Sequence, residues 1–219
     1  MNDRKRLLTD GKLSIIIVAA ILLIDQIIKI AVKSHMCLGE SIRVTDWFYI
    51  LFIENNGMAY GMTFFNKLVL SVFRIVAIGF IATYMVKLLR WPHTRGYMVC
   101  LSMVLAGAAG NLLDSMFYGL AFDSSTPYSV AELVPFGSGY APFLYGKVVD
   151  MFYFPLIVSI WPDWVPICGG QEFIFFSPIF NFADACISVG FVLLLIFYRN
   201  ELETISQVFR RKQKEEADE

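Results

Sequence analysis

Leu13-Ser-Ile-Ile-Ile-Val-Ala-Ala-Ile-Leu-Leu-Ile-Asp25-Gln26-Ile-Ile-Lys29-Ile-Ala-Val32 is the stretch whose reading decides the fold. It is long enough to cross a bilayer, which takes about 20 apolar residues. Its two charged residues, Asp25 and Lys29, lie four apart and so share one helix face, where they can pair. Arg4, Lys5 and Arg6 precede it and resemble the start of a secretory leader. No small-residue cleavage site follows, however; Asp25-Gln26-Ile27-Ile28-Lys29 does, so a retained helix is expected.

Three more stretches have the same character: roughly Leu68 to Leu89, Tyr97 to Gly119 and Phe180 to Tyr198. The chain is 57% hydrophobic and 17% charged, with mean hydropathy +0.61, against about 45–50% and about 25% for soluble domains. The expected fold is α-helical and membrane-embedded: one domain over 1–219, with helices near 13–32, 68–89, 97–119 and 180–198. Net charge is −1, so there is no global basic footprint for nucleic acid.

Basic residues set the orientation. Arg4, Lys5, Arg6 and Lys12 precede the first span. Lys87, Arg90 and Arg95 lie between the second and third. Arg199, Arg210, Arg211, Lys212 and Lys214 follow the fourth. Lys and Arg collect on the cytoplasmic side, so both termini are expected there, including the charged 199–219 tail. The long connections, 34–67 and 120–175, are then extracytoplasmic. Residues 42–53 are rich in β-branched and aromatic types and read as strand, predicting a small β-rich subdomain at the outer membrane surface. Trp47, Trp161 and Trp164 suit an interfacial position. The tail from Glu201 alternates charge and reads as a solvated helix or disordered segment. Cys100 and Cys186 fall in spans as small core residues. Cys37 and Cys168 both fall outside and could pair.

At about 1.5 Å per residue, the polar residues of the spans fall at one depth, near the outer ends. Asp25 and Lys29 are on the first span, Arg74 on the second, Asn111 and Asp114 on the third, Asn181 and Asp184 on the fourth. Asp150 lies in the apolar run Gly146-Lys-Val-Val-Asp150-Met-Phe152. Each has a bland reading alone: Asp25–Lys29 as structural glue, Asn111 as an interhelical hydrogen bond, Asp184 as a helix N-terminal acid, Asp150 as a loop acid. Their shared depth argues for one polar site, because ionisable groups near hydrocarbon are costly. His35 and His93 are the only histidines and are expected on opposite sides, which leaves no Ser–His system. No zinc motif and no Gly-rich phosphate loop is present. Acid–base hydrolysis by paired aspartates fits this inventory.

Five blocks resemble the lipoprotein signal peptidase (signal peptidase II) family. They are Asp25-Gln26-x-x-Lys29, Asn55-Asn56-Gly57-Met58-Ala59-Tyr60, Gly107-Ala-Ala-Gly-Asn111-Leu-Leu-Asp114, Gly146-x-Val148-Val149-Asp150 and Phe180-Asn181-Phe182-Ala183-Asp184. The resemblance implies a four-helix aspartic endopeptidase of the bacterial inner membrane, with its site near the periplasmic face. It would remove the signal peptide from diacylglyceryl-modified prolipoproteins, cleaving before the lipidated cysteine by two-aspartate water activation. Asp150 and Asp184 would be catalytic. Asp25, Lys29, Asn55, Gly57, Asn111, Asp114 and Asn181 would shape the site or contact substrate. No cofactor and no metal is implied. The implied partners are the prolipoprotein and membrane lipids, with the chain a monomer.

Two departures stand out. The family usually has Arg where this chain has Ser115, and Arg74, at similar depth, is the candidate replacement cation. Residues 120–145 form an aromatic insertion, expected to enlarge an outer flap. The rivals are a proton-coupled or small-solute transporter and a noncatalytic membrane scaffold. A transporter commonly carries internal repeats and a midplane site, and neither is legible here.

Overall fold

The computed structural model describes residues 3–56, 66–175 and 178–209. Helix α1 (Asp3–His35) is built inside out relative to a helix in water. Ile15, Ile16, Leu23 and Ile27 are exposed, whereas Asp10, Asp25, Lys29 and Lys33 are buried. That distribution is stable only where the surrounding solvent is hydrocarbon and the polar groups satisfy one another. Helices α2 (Lys67–Leu88) and α3 (Arg95–Leu113) follow. Asn66 caps α2, accepting from the Leu68 N–H, and Thr94 caps α3, accepting from Tyr97. Beyond Leu113 the helix widens into a π-helical turn, Asp114–Tyr118, and ends in the short α4 (Gly119–Ala121).

Among the described residues, three helical stretches, Thr9–His35, Lys67–Leu88 and Arg95–Ala121, are long and apolar enough to cross a membrane. The fourth, α5 (Phe182–Phe197), has 16 residues. It bends by 95° into Arg199–Phe209, which includes α6 (Arg199–Leu202). The tail therefore departs from the solvated expectation as far as it is described. Val208 is buried and Phe209 stacks on Phe80 and Tyr84, because Ile205, Val208 and Phe209 recur at helical spacing.

Helices α3 and α5 meet through small residues, as membrane helices do in the absence of a hydrophobic drive. A Cβ on Gly107 would collide with the Ala183 carbonyl, and one on Gly110 would come 2.7 Å from the Asp25 carboxylate. This close approach brings the head of α5 against α1 and α3.

Strands β1 (Ser41–Arg43), β2 (Tyr49–Asn55), β3 (Val148–Tyr153) and β6 (Ile179–Phe180) form an antiparallel sheet in the order β1-β2-β3-β6. The single strand expected over 42–53 is a hairpin instead. It turns at Thr45-Asp46, where the Val44 and Thr45 N–H groups both reach the Phe48 carbonyl. A separate hairpin pairs β4 (Ile157–Ile160) with β5 (Glu172–Phe175). Trp47, Trp161 and Trp164 are exposed on the connections of these two hairpins. The 120–145 insertion is packed rather than loose. It folds back through Ala141 N–H to Gly119 O and Gly146 N–H to Ser115 O, both 2.9 Å, and shares a core with Val32, Phe52, Val149 and Met151. Cys37, Cys100, Cys168 and Cys186 are all free thiols.

Candidate active site

The site lies where the C-terminal parts of α1 and α3 and the N-terminal end of α5 meet the sheet. Asp150 is the third residue of β3, opposite Ile53 of β2. Its carboxylate is 3% exposed and accepts from two amides: Asn55 Nδ2 at 3.0 Å and Asn181 Nδ2 at 2.7 Å. It stands outside the spanning helices. Burial, and then the charge of Asp184, push it up to about 7, against the pull of the two amides and of Lys29.

Asp184 sits in the first turn of α5 and is half-buried. It forms a capping box with Asn181: the Asp184 N–H donates to Asn181 Oδ1 at 2.9 Å, and the Asn181 N–H reaches back to Asp184 Oδ2. Asn111 Nδ2 donates to Asp184 Oδ1 at 2.7 Å. The bland reading of Asp184 as a helix-start acid is thus also true, and it does not exhaust the residue. Asn181 caps with its oxygen and spans to Asp150 with its nitrogen, so one amide links the two acids. The same nitrogen lies 3.1 Å from Asn111 Oδ1.

Beneath the pair lies a buried ionic knot. Lys29, 1% exposed, places its ammonium 3.0 Å from Asp25, 2.8 Å from Asp114 and 2.8 Å from Asn111 Oδ1. Three acceptors match its three N–H donors. Gln26, which the sequence reading did not single out, adds a 2.9 Å bond to Asp114 and receives the Tyr118 hydroxyl. Each knot carboxylate also holds one backbone N–H. Asp25 takes that of Ala183 at 3.0 Å, and Asp114 that of Val149 at 3.3 Å. Those residues immediately precede Asp184 and Asp150. The knot therefore fixes both aspartate-bearing segments to α1 and α3.

On the α2 side, Arg74 Nη1 lies 3.4 Å from Ser115 Oγ, and Lys67 Nζ lies 3.0 Å from the same hydroxyl. Lys67 escaped the sequence reading because a lysine at a helix start near the interface looks like an ordinary anchor. Gly57 lies outside the described residues. Asp25, Lys29, Asn55, Arg74, Asn111, Asp114, Asn181, Asp150 and Asp184 are all drawn into one region. Among the described residues no cluster of His, Cys, Asp and Glu could hold a metal ion.

The family profile of signal peptidase (SPase) II matches residues 17–199. The chain is 50% identical to a lipoprotein signal peptidase of Porphyromonas gingivalis over 192 residues, covering 87% of this chain and 84% of that one. It is 33% identical to a lipoprotein signal peptidase of Amoebophilus asiaticus over 187 residues, covering 82% and 75%. A solved bacterial membrane enzyme, determined by the in meso method, shares the fold with TM-score 0.57 at 22% identity, covering 90% of this chain and 91% of its own.

Proposed function

Because the chain belongs to the signal peptidase (SPase) II family of aspartic proteases, we propose that Asp150 and Asp184 are its catalytic pair. The chain is a multi-pass membrane endopeptidase that processes prolipoprotein signal peptides. The observation carrying the assignment is that one residue, Asn181, holds both carboxyl groups, Asp150 through its side-chain amide and Asp184 through its backbone N–H, while burial sets them apart.

That asymmetry supports a division of labour. Asp150, the buried member, carries the shared proton, and Asp184 serves as the base. Asp184 takes a proton from a water, whose oxygen attacks the scissile carbonyl. Asp150 protonates the carbonyl oxygen, giving a tetrahedral diol. As the C–N bond breaks, the proton on Asp184 passes to the leaving amine of the lipidated cysteine. A diol hydroxyl returns its proton to Asp150, and the new carboxyl end leaves on the signal peptide. Asn55, already at Asp150, is placed to orient the substrate backbone.

Lys67 and Arg74 bring positive charge to Ser115, where the resembled family usually carries Arg. Arg74→Gln is expected to lower kcat/KM about tenfold or more, on the scale of one hydrogen bond to a charged group. A variant with unchanged activity and folding would remove Arg74 from the site.

The reading also places the site at the periplasmic face of the inner membrane, with both termini cytoplasmic and the chain a monomer. The support is the end-to-end charge pattern: Lys12, Lys87, Arg90, Arg95 and Arg199 lie at the end opposite the site.

The testing experiment is cleavage of a diacylglyceryl-modified prolipoprotein in detergent, without an ion gradient, as a function of pH. Activity there excludes the transporter and scaffold readings. An acid raised to about 7 is protonated below that pH and ionised above it, so the rate is expected to fall as pH rises through about 7. Asn55→Ala removes a hydrogen bond that favours the ionised form. It should move the falling limb upward by about one pH unit. A limb that stays in place, or moves down, would contradict Asp150 as the proton carrier.

A further inference from the structure

A second buried ionic cluster lies on the other face of β2 from Asp150. Glu54 precedes Asn55, and successive strand residues point to opposite faces. Its side chain is 3% exposed. Glu54 Oε1 accepts from Lys33 Nζ at 2.5 Å and Ser125 Oγ at 2.8 Å; Oε2 accepts from Lys147 Nζ at 3.0 Å. Lys33 is fully buried, donates also to Ser125 Oγ at 2.8 Å, and lies over the rings of Phe122 and Tyr140. The Tyr140 hydroxyl accepts the Lys147 N–H at 2.7 Å. Burial alone would raise the Glu54 carboxyl. Lys33, Ser125 and Lys147 outweigh it and hold the group below the usual range.

The cluster unites three parts of the chain: α1 through Lys33, the 120–145 insertion through Ser125 and Tyr140, and the lead-in to β3 through Lys147. None touches Asp150 or Asp184 directly. The link runs through the sheet. Glu54 pairs with Val149 and Asn55 with Val148, at the end of β2. A register irregularity between Ile50 and Ile53 lies just upstream, so the pairing that sets Asn55 beside Asp150 is offset by one residue from that of the first half of β2.

We propose that Glu54, clamped by Lys33, Ser125 and Lys147, is a positioning residue that locks β2 in the register presenting Asn55 to Asp150, so that the 120–145 insertion tunes a dyad it does not touch. The proposal rests on the assignment of Asp150 above. A strand end displaced by about 1 Å costs up to about 10²-fold in rate without weakening substrate binding elsewhere.

The test uses the full chain in detergent on the lipidated prolipoprotein. Glu54→Gln is expected to lower kcat by about 10²-fold while KM stays within about twofold. The falling limb of its pH profile should also shift, because Asn55 is no longer held at Asp150. A kcat per folded enzyme and a pH profile equal to wild type would overturn the proposal, whatever the change in melting temperature. Should Glu54→Gln not accumulate, the paired Lys33→Met/Glu54→Leu variant carries the test. It removes both buried charges together, which is often neutral for stability. It should accumulate and remain at least about tenfold slow; recovery of wild-type kcat would reduce the cluster to structural glue. Asp150→Asn in the same preparation separates the two readings. Full activity there sinks the dyad and this proposal with it. An inactive Asp150→Asn beside a fully active Glu54→Gln sinks the positioning role alone.

Discussion

Lys29→Met is expected to strip the enzyme of its fold at the active end. Asp25 and Asp114 are both 0% exposed, and Lys29 is the cation between them. Removing it leaves two buried carboxylates facing each other, and breaking a buried pair this way costs about 3–5 kcal/mol. For a chain of this size each kcal/mol moves the melting temperature by about 2–4 °C, so a drop beyond about 6 °C is expected in detergent. Accumulation in membranes should fall with it. The loss is also functional, because Asp25 and Asp114 hold the N–H groups of Ala183 and Val149. Paired Lys29→Met/Asp114→Asn, with one carboxylate neutralised, should recover part of the stability and little of the activity. A single mutant that melts like wild type would show that the knot is not what secures the two segments.

The helices were legible because their signal is large. The Leu13–Val32 stretch has the length and the apolar character that hydrocarbon demands, and Asp25 and Lys29 at i, i+4 pair as their spacing predicts. The common end of Asn111, Asp114, Asn181 and Asp184 follows from helical rise alone, once successive spans alternate in direction. Lys33 continues the same face one turn beyond Lys29 and was within reach of that reasoning. A lysine at a helix end normally snorkels to water, which masks its buried role in the sequence. Its partner Glu54 was hidden by a different fact: strand alternation gives the face but not the register. That Ile53 rather than Phe52 stands opposite Asp150 depends on an irregularity in β2 that no residue type announces. The 120–145 insertion reads as a flap by composition, yet Phe122, Ala131 and Tyr140 pack it onto the sheet core. Ser115 was noted as a missing charge. That α2 supplies both Lys67 and Arg74 to it is a tertiary fact, set by how two helices pack.

Replacing either dyad member by Asn should abolish turnover while leaving the chain folded. Asn keeps the shape and most hydrogen-bond capacity of Asp but can neither accept the water's proton nor carry the shared one. Positioned proton transfer contributes about 10²–10⁴-fold, and both steps are lost when either partner is neutral and fixed. Asp150→Asn also removes a buried acid pushed up to about 7, so it should be no less stable than wild type at pH 7.5. The sign is fixed by linkage: a carboxyl raised to about 7 in the folded chain loses stability as pH rises from its ordinary value to about 7 and keeps that loss above it, and an amide escapes the penalty. Asp184→Asn keeps the cap, because an Asn at this position still accepts the Asn181 N–H. The direct measurement is single-turnover cleavage of a lipidated prolipoprotein by purified Asp150→Asn and Asp184→Asn, each checked for a wild-type melting profile. Folded proteins with cleavage reduced by at least about 10³-fold are expected in both; near-wild-type turnover by either one would contradict the catalytic pair.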